Sequence, residues 1–209
     1  MTNPDLTAIA FLVDRSGSMQ KVKTDAEGAI AAFIEAQRAV PGRCLVRLAD
    51  FDDKYRDVYP MTPIADVPPY TLEPRGTTAL LDAIGRLVTG LGEELAAMDE
   101  DDRPGKVIVV VQTDGQENAS QEWTQEGVNT LITQQREQFS WDFVFLGAGP
   151  DAIQTAQSYG FLAGSSIGYT PSGAGTQSAV AAAASYVTRA RAGQGPASFT
   201  DEERNSTSA

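Results

Sequence analysis

Mainly apolar runs alternate with segments of helical period along most of the chain. The runs are typical of strands buried on both faces of a sheet and lie at 7–13, 45–51, 107–111 and 141–146, with a weaker one at 166–169. Between them, apolar residues recur every three or four positions and predict helices at 22–34, 80–95, 128–132, 152–159 and 175–191. The alternation predicts an α/β fold with a doubly wound, mostly parallel sheet and helices on both faces.

Two segments modify this plan. Residues 55–60 follow a turn-sized link and predict one antiparallel edge strand. The predicted elements end near residue 191, so we expect one domain over 1–191, followed by a polar, Gly/Pro/Ser-rich tail over 192–209 that is flexible. Within this tail Thr200 and Glu203 have the spacing of a capping box, although disorder is the favoured interpretation.

The composition excludes several kinds of catalytic site. The chain has no histidine, which rules out a Ser-His-Asp or Cys-His nucleophile and imidazole ligation of zinc or iron. Its one cysteine, Cys44, excludes a disulfide framework and thiolate clusters. Any chemistry must therefore come from oxygen-bearing side chains.

The charge and hydropathy pattern limits the partners. The formal net charge of −12 disfavours nucleic acid, whose phosphates require a basic surface. No apolar run approaches the length needed to span a bilayer, and the start lacks the basic and apolar regions of a secretory signal. We therefore expect a cytoplasmic protein with no membrane contact.

Polar side chains gather where three predicted elements end or begin. Asp14, Ser16 and Ser18 directly follow the first strand, Thr78 precedes the 80–95 helix, and Asp114 follows the central strand. In doubly wound sheets such loops meet beyond the carboxyl ends of the strands. Because all these donors are oxygens, they suit a hard divalent cation, Mg²⁺ first and Mn²⁺ or Ca²⁺ next.

These segments resemble the metal-ion-dependent adhesion site of von Willebrand factor type A domains. That pattern is Asp-x-Ser-x-Ser, a distant Thr at a loop-to-helix junction, and a later Asp at a strand end. Carried over, it assigns Asp14, Ser16, Ser18 and Asp114 as metal-site residues. The resemblance covers about residues 5–170.

The threonine of this pattern has two candidates. Members of the family usually have a small and then an apolar residue five and six positions after it, and Ala83 and Ile84 meet this for Thr78. Thr78 is therefore favoured over Thr77.

The resemblance also implies a function. Neutral hydroxyls and at most one carboxylate touch the ion directly, and an Asp or Glu of a partner protein completes its coordination. The chain would then be a non-enzymatic protein-binding module. It is similar to small bacterial and phage members of the tellurite-resistance type, whose partners are often ATPases or signalling enzymes.

Alternative roles exist for the same residues. Ser16, Ser18 and Thr78 also suit helix caps, although two unpaired neighbouring carboxylates would be unfavourable without a metal. A Mg²⁺-dependent phosphoryl-transfer hydrolase would use Asp14 as its nucleophile, but such enzymes resembling the haloacid dehalogenase group have a second Asp where this chain has Ser16.

Three further segments leave alternatives open. Residues 147–152 fit Gly-x-Gly-x-x-Ala after a strand, but no acidic residue follows at the distance of a ribose partner, which favours a plain turn over a dinucleotide site. Asp52 and Asp53 are expected nearer solvent, where a second metal is a minor alternative. Trp123 either covers a helix start or lies at the rim of the metal site, with the first favoured.

Overall fold

The computed structural model describes residues 2–194 and 198–207. Within them one six-stranded sheet is formed by β1 Asn3–Asp14, β2 Arg43–Phe51, β3 Tyr55–Pro63, β4 Pro104–Thr113, β5 Asp142–Ala148 and β6 Ser166–Tyr169. The strand order is β3-β2-β1-β4-β5-β6. All neighbouring strands are parallel except β2 and β3. The predicted mostly parallel sheet with an antiparallel edge strand is confirmed.

Helices cover both faces of the sheet. In the described residues they are α1 Lys23–Arg38, α2 Leu80–Ala97, α3 Gln125–Phe139, α4 Ala152–Ser158, α5 Gly173–Arg191 and α6 Asp201–Thr207. Helices α1 and α5 contribute to one apolar core, and α2, α3 and α4 contribute to the other. None of these helices is long and apolar enough to cross a membrane.

Strand β1 shows why its sequence is apolar without a break. Successive side chains of a strand point to opposite faces, and both faces of this sheet are covered. Ile9 and Phe11 therefore enter the core beneath α1 and α5, whereas Ala8 and Leu12 enter the core beneath α2. Phe11 meets Phe33 of α1 edge-on, with ring centroids 5.2 Å apart.

The sheet order brings the polar loops together. Strand β1 pairs in parallel with β2 on one side and with β4 on the other. The register places Asp14 opposite Phe51 and Val13 opposite Gln112, so β1, β2 and β4 end at the same edge. The loops that follow these three strands consequently meet there.

The C-terminal segment differs from the expected flexible tail in its described part. Residues 201–207 form α6, and the capping box is made: Glu203 N–H donates to Thr200 Oγ1 over 3.1 Å, and Thr200 N–H donates to Glu203 Oε2 over 2.8 Å. Phe199 is buried against Tyr186 of α5, with ring centroids 5.2 Å apart. Polar composition alone missed this segment because its contacts, such as the Arg189–Glu203 ion pair and the Arg204 bond to the Ser166 carbonyl, join residues far apart in the sequence. Residues 195–197 and 208–209 lie outside the described part.

Candidate metal site

The five predicted side chains lie at the carboxyl edge of the sheet. Asp14 ends β1, Ser16 lies in the turn that follows, and Ser18 lies in the first turn of the 3₁₀ helix Gly17–Val22. Thr78 lies two residues before α2, and Asp114 directly follows β4. Their spacing along the chain is large, but the parallel pairing of β1 with β4 brings their loops side by side.

A series of hydrogen bonds joins the first loop to the β4 loop. Ser16 N–H donates to Asp14 Oδ1 over 2.7 Å, and the hydroxyls of Ser16 and Ser18 are 3.0 Å apart. Ser18 Oγ then donates to Asp114 Oδ1 over 2.6 Å. Ser16 precedes the 3₁₀ helix but makes no side-chain cap bond, so the hydroxyls serve the carboxylates and not the helix end.

Thr78 faces the same small space as Asp14. Its residue is 3% exposed, whereas Thr77 is exposed. A methyl group built on Gly115 would lie 3.0 Å from Thr78 Oγ1 and 3.6 Å from Asp14 Oδ2, so both oxygens converge on the glycine between them. This geometry favours Thr78 over Thr77 as the site residue.

Thr113 contacts the site, although the sequence analysis did not assign it as a metal-site residue. Its Oγ1 donates to Asp14 Oδ2 over 2.6 Å. Burial raises the pKa of Asp14 to about 6, and the hydrogen bonds from Thr113 and Ser16 oppose that rise. Burial likewise raises the pKa of Asp114, against the bond from Ser18. The signal that was available is the position of Thr113 directly before Asp114, at the end of the central strand.

The donors fit a hard divalent cation. They are two carboxylates and three hydroxyls, all oxygen, which is the chemistry that Mg²⁺, Mn²⁺ and Ca²⁺ prefer. In the described part of the chain no group of three or more His, Cys, Asp or Glu side chains is arranged to hold a metal. A cation at this edge would therefore depend on the hydroxyls as much as on the acids.

Asp82 and Glu117 fix the loop after β4 to the start of α2. Glu117 Oε2 accepts a hydrogen bond from Leu81 N–H over 2.9 Å, and Asp82 Oδ1 accepts one from Trp123 N–H over 2.7 Å. Next to Thr78, Asn118 Oδ1 accepts the Thr78 N–H over 3.0 Å. Sequence reasoning missed these contacts because they join residues about forty positions apart.

The expectation for Asp52 was wrong. Its residue is fully buried, and its Oδ2 lies 2.6 Å from Arg75 Nε and 3.1 Å from Arg15 Nη2. Two guanidinium groups thus supply the positive charge that a second metal would have supplied. Of the two neighbouring acids Asp52 and Asp53, only Asp53 is exposed.

The glycine-rich turn between β5 and α4 is a strand-to-helix connection. Gly149 has a φ of +94°, which glycine adopts without strain, and its N–H donates to the Tyr169 carbonyl over 2.9 Å. A Cβ on Gly147 would lie 2.6 Å from the Phe145 ring and 2.9 Å from Ala152. Gly149 thus has a conformational reason and Gly147 a packing reason to be glycine, which agrees with the plain-turn interpretation.

Trp123 covers a helix. Its ring lies over Gly85 of α2, where an added Cβ would be 2.2 Å from the indole. The ring also packs against the core beneath α2. Of the two roles considered for Trp123, the structure favours packing on a helix over a position at the rim of the metal site.

A cavity of about 390 Å³ opens beside the candidate site. Thr113 and Gly115 line the side next to the metal-site loops, and Phe145, Pro150 and Tyr159 line the far side. The space beside the carboxylates is therefore partly apolar.

No protein-family model matches the chain, and no curated protein matches it either. Among solved structures, a von Willebrand factor type A protein from Catenulispora acidiphila superposes on 90% of this chain with a TM-score of 0.60 at 14% identity. This chain has the von Willebrand factor type A fold.

Two other solved structures share the fold. Proximal thread matrix protein 1 from the mussel byssus covers 90% of this chain with a TM-score of 0.59 at 16% identity. The pilus adhesin SpaC from Lactobacillus rhamnosus GG, in its open conformation, covers 91% of this chain with a TM-score of 0.65 at 11% identity. The chain spans 43%, 47% and 30% of the Catenulispora, mussel and Lactobacillus chains, respectively. At these identities the likeness shows the fold alone.

Proposed function

We infer that this von Willebrand A-type domain is a non-enzymatic, metal-dependent protein-binding module. Asp14, Ser16, Ser18, Thr78 and Asp114 would hold one Mg²⁺, with Mn²⁺ or Ca²⁺ as substitutes. The observation that supports the proposal is the convergence of these side-chain oxygens. The Ser16 and Ser18 hydroxyls are 3.0 Å apart, Ser18 Oγ donates to Asp114 Oδ1, and Thr78 Oγ1 and Asp14 Oδ2 both lie beside Gly115.

The charge of the donor set favours binding over catalysis. Three of the five donors are neutral hydroxyls, so the cation keeps a strong attraction for a further anionic oxygen. A carboxylate from an Asp or Glu of a partner protein would supply that oxygen. The neighbouring cavity, which is partly apolar, offers room for side chains beside that acid.

The residue types argue against hydrolysis. Ser16 stands where a phosphoryl-transfer enzyme of this general architecture would have a second acid, and the chain has no histidine to replace it. Both acids of the site accept hydrogen bonds from hydroxyls, which orients them as acceptors. The similarity to small members of the tellurite-resistance type stays a prediction.

Affinity capture from a cell extract tests the proposal, with the wild-type chain immobilised in Mg²⁺ or in EDTA. We expect a specific protein to be retained in Mg²⁺ and released by EDTA, and to be lost with Thr78→Ala but kept with the matched exposed variant Thr77→Ala. Capture that is indifferent to the chelator would contradict metal-dependent binding. Turnover of p-nitrophenyl phosphate that disappears in Asp14→Asn would contradict the non-enzymatic assignment.

A further inference from the structure

A buried ionic cluster lies directly behind the loops of the candidate site. Asp52 follows β2 and is fully buried, and Arg15, between Asp14 and Ser16, is 3% exposed. Arg15 Nη2 is 3.1 Å from Asp52 Oδ2, and Arg75 Nε is 2.6 Å from the same oxygen. One carboxylate oxygen therefore joins a side chain of the β1 loop to a side chain of the loop that carries Thr78.

Main-chain hydrogen bonds fix the same two loops around this carboxylate. Arg75 N–H donates to the Arg15 carbonyl over 2.8 Å, and Gly17 N–H donates to the Gly76 carbonyl over 3.2 Å. Ala79 N–H donates to the Asp52 carbonyl over 2.8 Å. The chain is thus anchored on both sides of Thr78, at Gly76 and at Ala79.

Gly76 allows this close approach. Its φ of +66° lies in the left-handed region that favours glycine. A Cβ there would be 2.6 Å from Asp53 Oδ1 and 3.2 Å from Asp52 Cβ. The loop before Thr78 therefore lies directly on the Asp52 segment, and a side chain would push it away.

We propose that Asp52 is a positioning residue for the metal site: by binding Arg15 and Arg75 together, it holds the loop of Thr78 against the loop of Ser16 and Ser18. This role rests on the proposed metal-binding function. Asp52 touches no predicted donor oxygen and acts through the two arginines. Its neighbour Asp50 is equally buried and binds Arg15, Arg56 and Tyr70. Asp52 differs from it in binding Arg75, whose own N–H donates to the Arg15 carbonyl.

An ion pair elsewhere in the fold supplies a matched control variant. Arg75 pairs with Asp52 with 56% of its side chain exposed, and Arg189 of α5 pairs with Glu203 of α6 with 28% of its side chain exposed. Arg75→Gln removes the link to the loop of Thr78, and Arg189→Gln removes an ion pair that does not involve that loop. Arg75→Lys keeps the charge, and Asp52→Asn removes the charge of the carboxylate itself.

Two measurements on the full chain test the positioning role: calorimetric titration with Mg²⁺, and hydrogen exchange of the Ala79 amide in EDTA. We expect Arg75→Gln and Asp52→Asn to weaken Mg²⁺ binding by about tenfold, the lower end of the losses seen when groups that orient metal ligands are removed. Arg75→Lys should retain most of the affinity, and Arg189→Gln should leave it unchanged. The Ala79 amide should exchange faster in Arg75→Gln than in the wild type.

The two readouts separate this inference from the proposed function. Wild-type protein that binds no Mg²⁺ would contradict the metal site, while the exchange of the Ala79 amide would still decide whether Arg75 holds the loop. Wild-type affinity together with wild-type exchange in Arg75→Gln would overturn the positioning role. An equal loss of affinity in Arg189→Gln would overturn it as well, because the loss would then reflect general stability and not the position of the loop.

Discussion

Thr113 Oγ1 donates a 2.6 Å hydrogen bond to Asp14 Oδ2, which joins the last residue of β4 to the last residue of β1. Asp14 is fully buried, and its other oxygen accepts the Ser16 N–H over 2.7 Å. Both oxygens therefore have fixed orientations before any cation arrives. A carboxylate that is oriented in advance loses less conformational freedom on binding a metal.

The Thr113 hydroxyl is predicted to support metal binding. Thr113→Val keeps the side-chain shape and removes the donor to Asp14, so Mg²⁺ affinity should fall by about tenfold. Thr113→Ser restores the hydroxyl and should bind nearly as well as the wild type. Calorimetric titration of the three proteins checks this, and equal affinity in the valine variant would show that the bond to Asp14 is dispensable.

The packing of Trp123 on α2 predicts that Gly85→Ala is destabilising. The new methyl group would lie 2.2 Å from the indole, so the ring must move, at a cost of about 1–3 kcal/mol in the free energy of unfolding. Gly90→Ala in the same helix is the control, because its nearest neighbour is the Arg47 guanidinium at 3.8 Å. That variant should be neutral or more stable by about 0.5–1 kcal/mol.

Urea unfolding and tryptophan fluorescence measure both glycine variants. The Gly85 variant should show a lower midpoint together with altered emission. A Gly85 variant that is as stable as the Gly90 variant would mean that Trp123 does not pack on α2 in solution.

The docking of α6 should depend on pH through Glu203. Burial raises the pKa of this carboxyl, but the hydrogen bonds from Arg189 and Thr200 outweigh that effect and leave it below its ordinary value. A group whose pKa is lower in the folded state contributes stability above its unfolded pKa and loses it as the pH falls through the folded value. Glu203→Gln should therefore be less stable than the wild type by about 1 kcal/mol at about pH 7, and the difference should vanish near pH 3.

Urea unfolding of both proteins at the two pH values checks this prediction. Thr200→Ala, which removes the reciprocal cap of Glu203, is a second variant that should lose about 1 kcal/mol. A difference between wild type and Glu203→Gln that stays constant with pH would contradict the ionic contribution.

Periodicity predicted most of the fold. The apolar runs of β1, β2, β4 and β5 are buried on both faces of the sheet. In a chain whose strand-like and helix-like segments alternate, such short apolar runs are typical of parallel strands. Residues 166–169 were found as β6 despite their short length. Element ends were less predictable: β1 begins at Asn3 and not at residue 7, because the pairing of Asn3 with Pro104 continues the strand past its apolar part.

The candidate site was predictable where its residues have a local pattern. Asp14, Ser16 and Ser18 alternate along one short segment at the end of β1, and Asp114 directly follows β4, so sequence spacing was enough to propose them. Thr113 and Asp52 lack such a pattern, because their roles depend on which strands pair and on which loops meet. Asp52 was expected near solvent since acids usually are, and only the arrangement of Arg15 and Arg75 around it makes its burial favourable.

The central claim is that one divalent cation binds at the carboxyl edge of the sheet through the oxygens around Thr78. The most direct test is calorimetric titration of Mg²⁺ into the chelator-stripped wild type, with Thr78→Ala and Thr77→Ala in parallel. The account predicts one binding event in the wild type, retained in Thr77→Ala and lost in Thr78→Ala. Binding that survives in Thr78→Ala, or that is lost in Thr77→Ala instead, would contradict it.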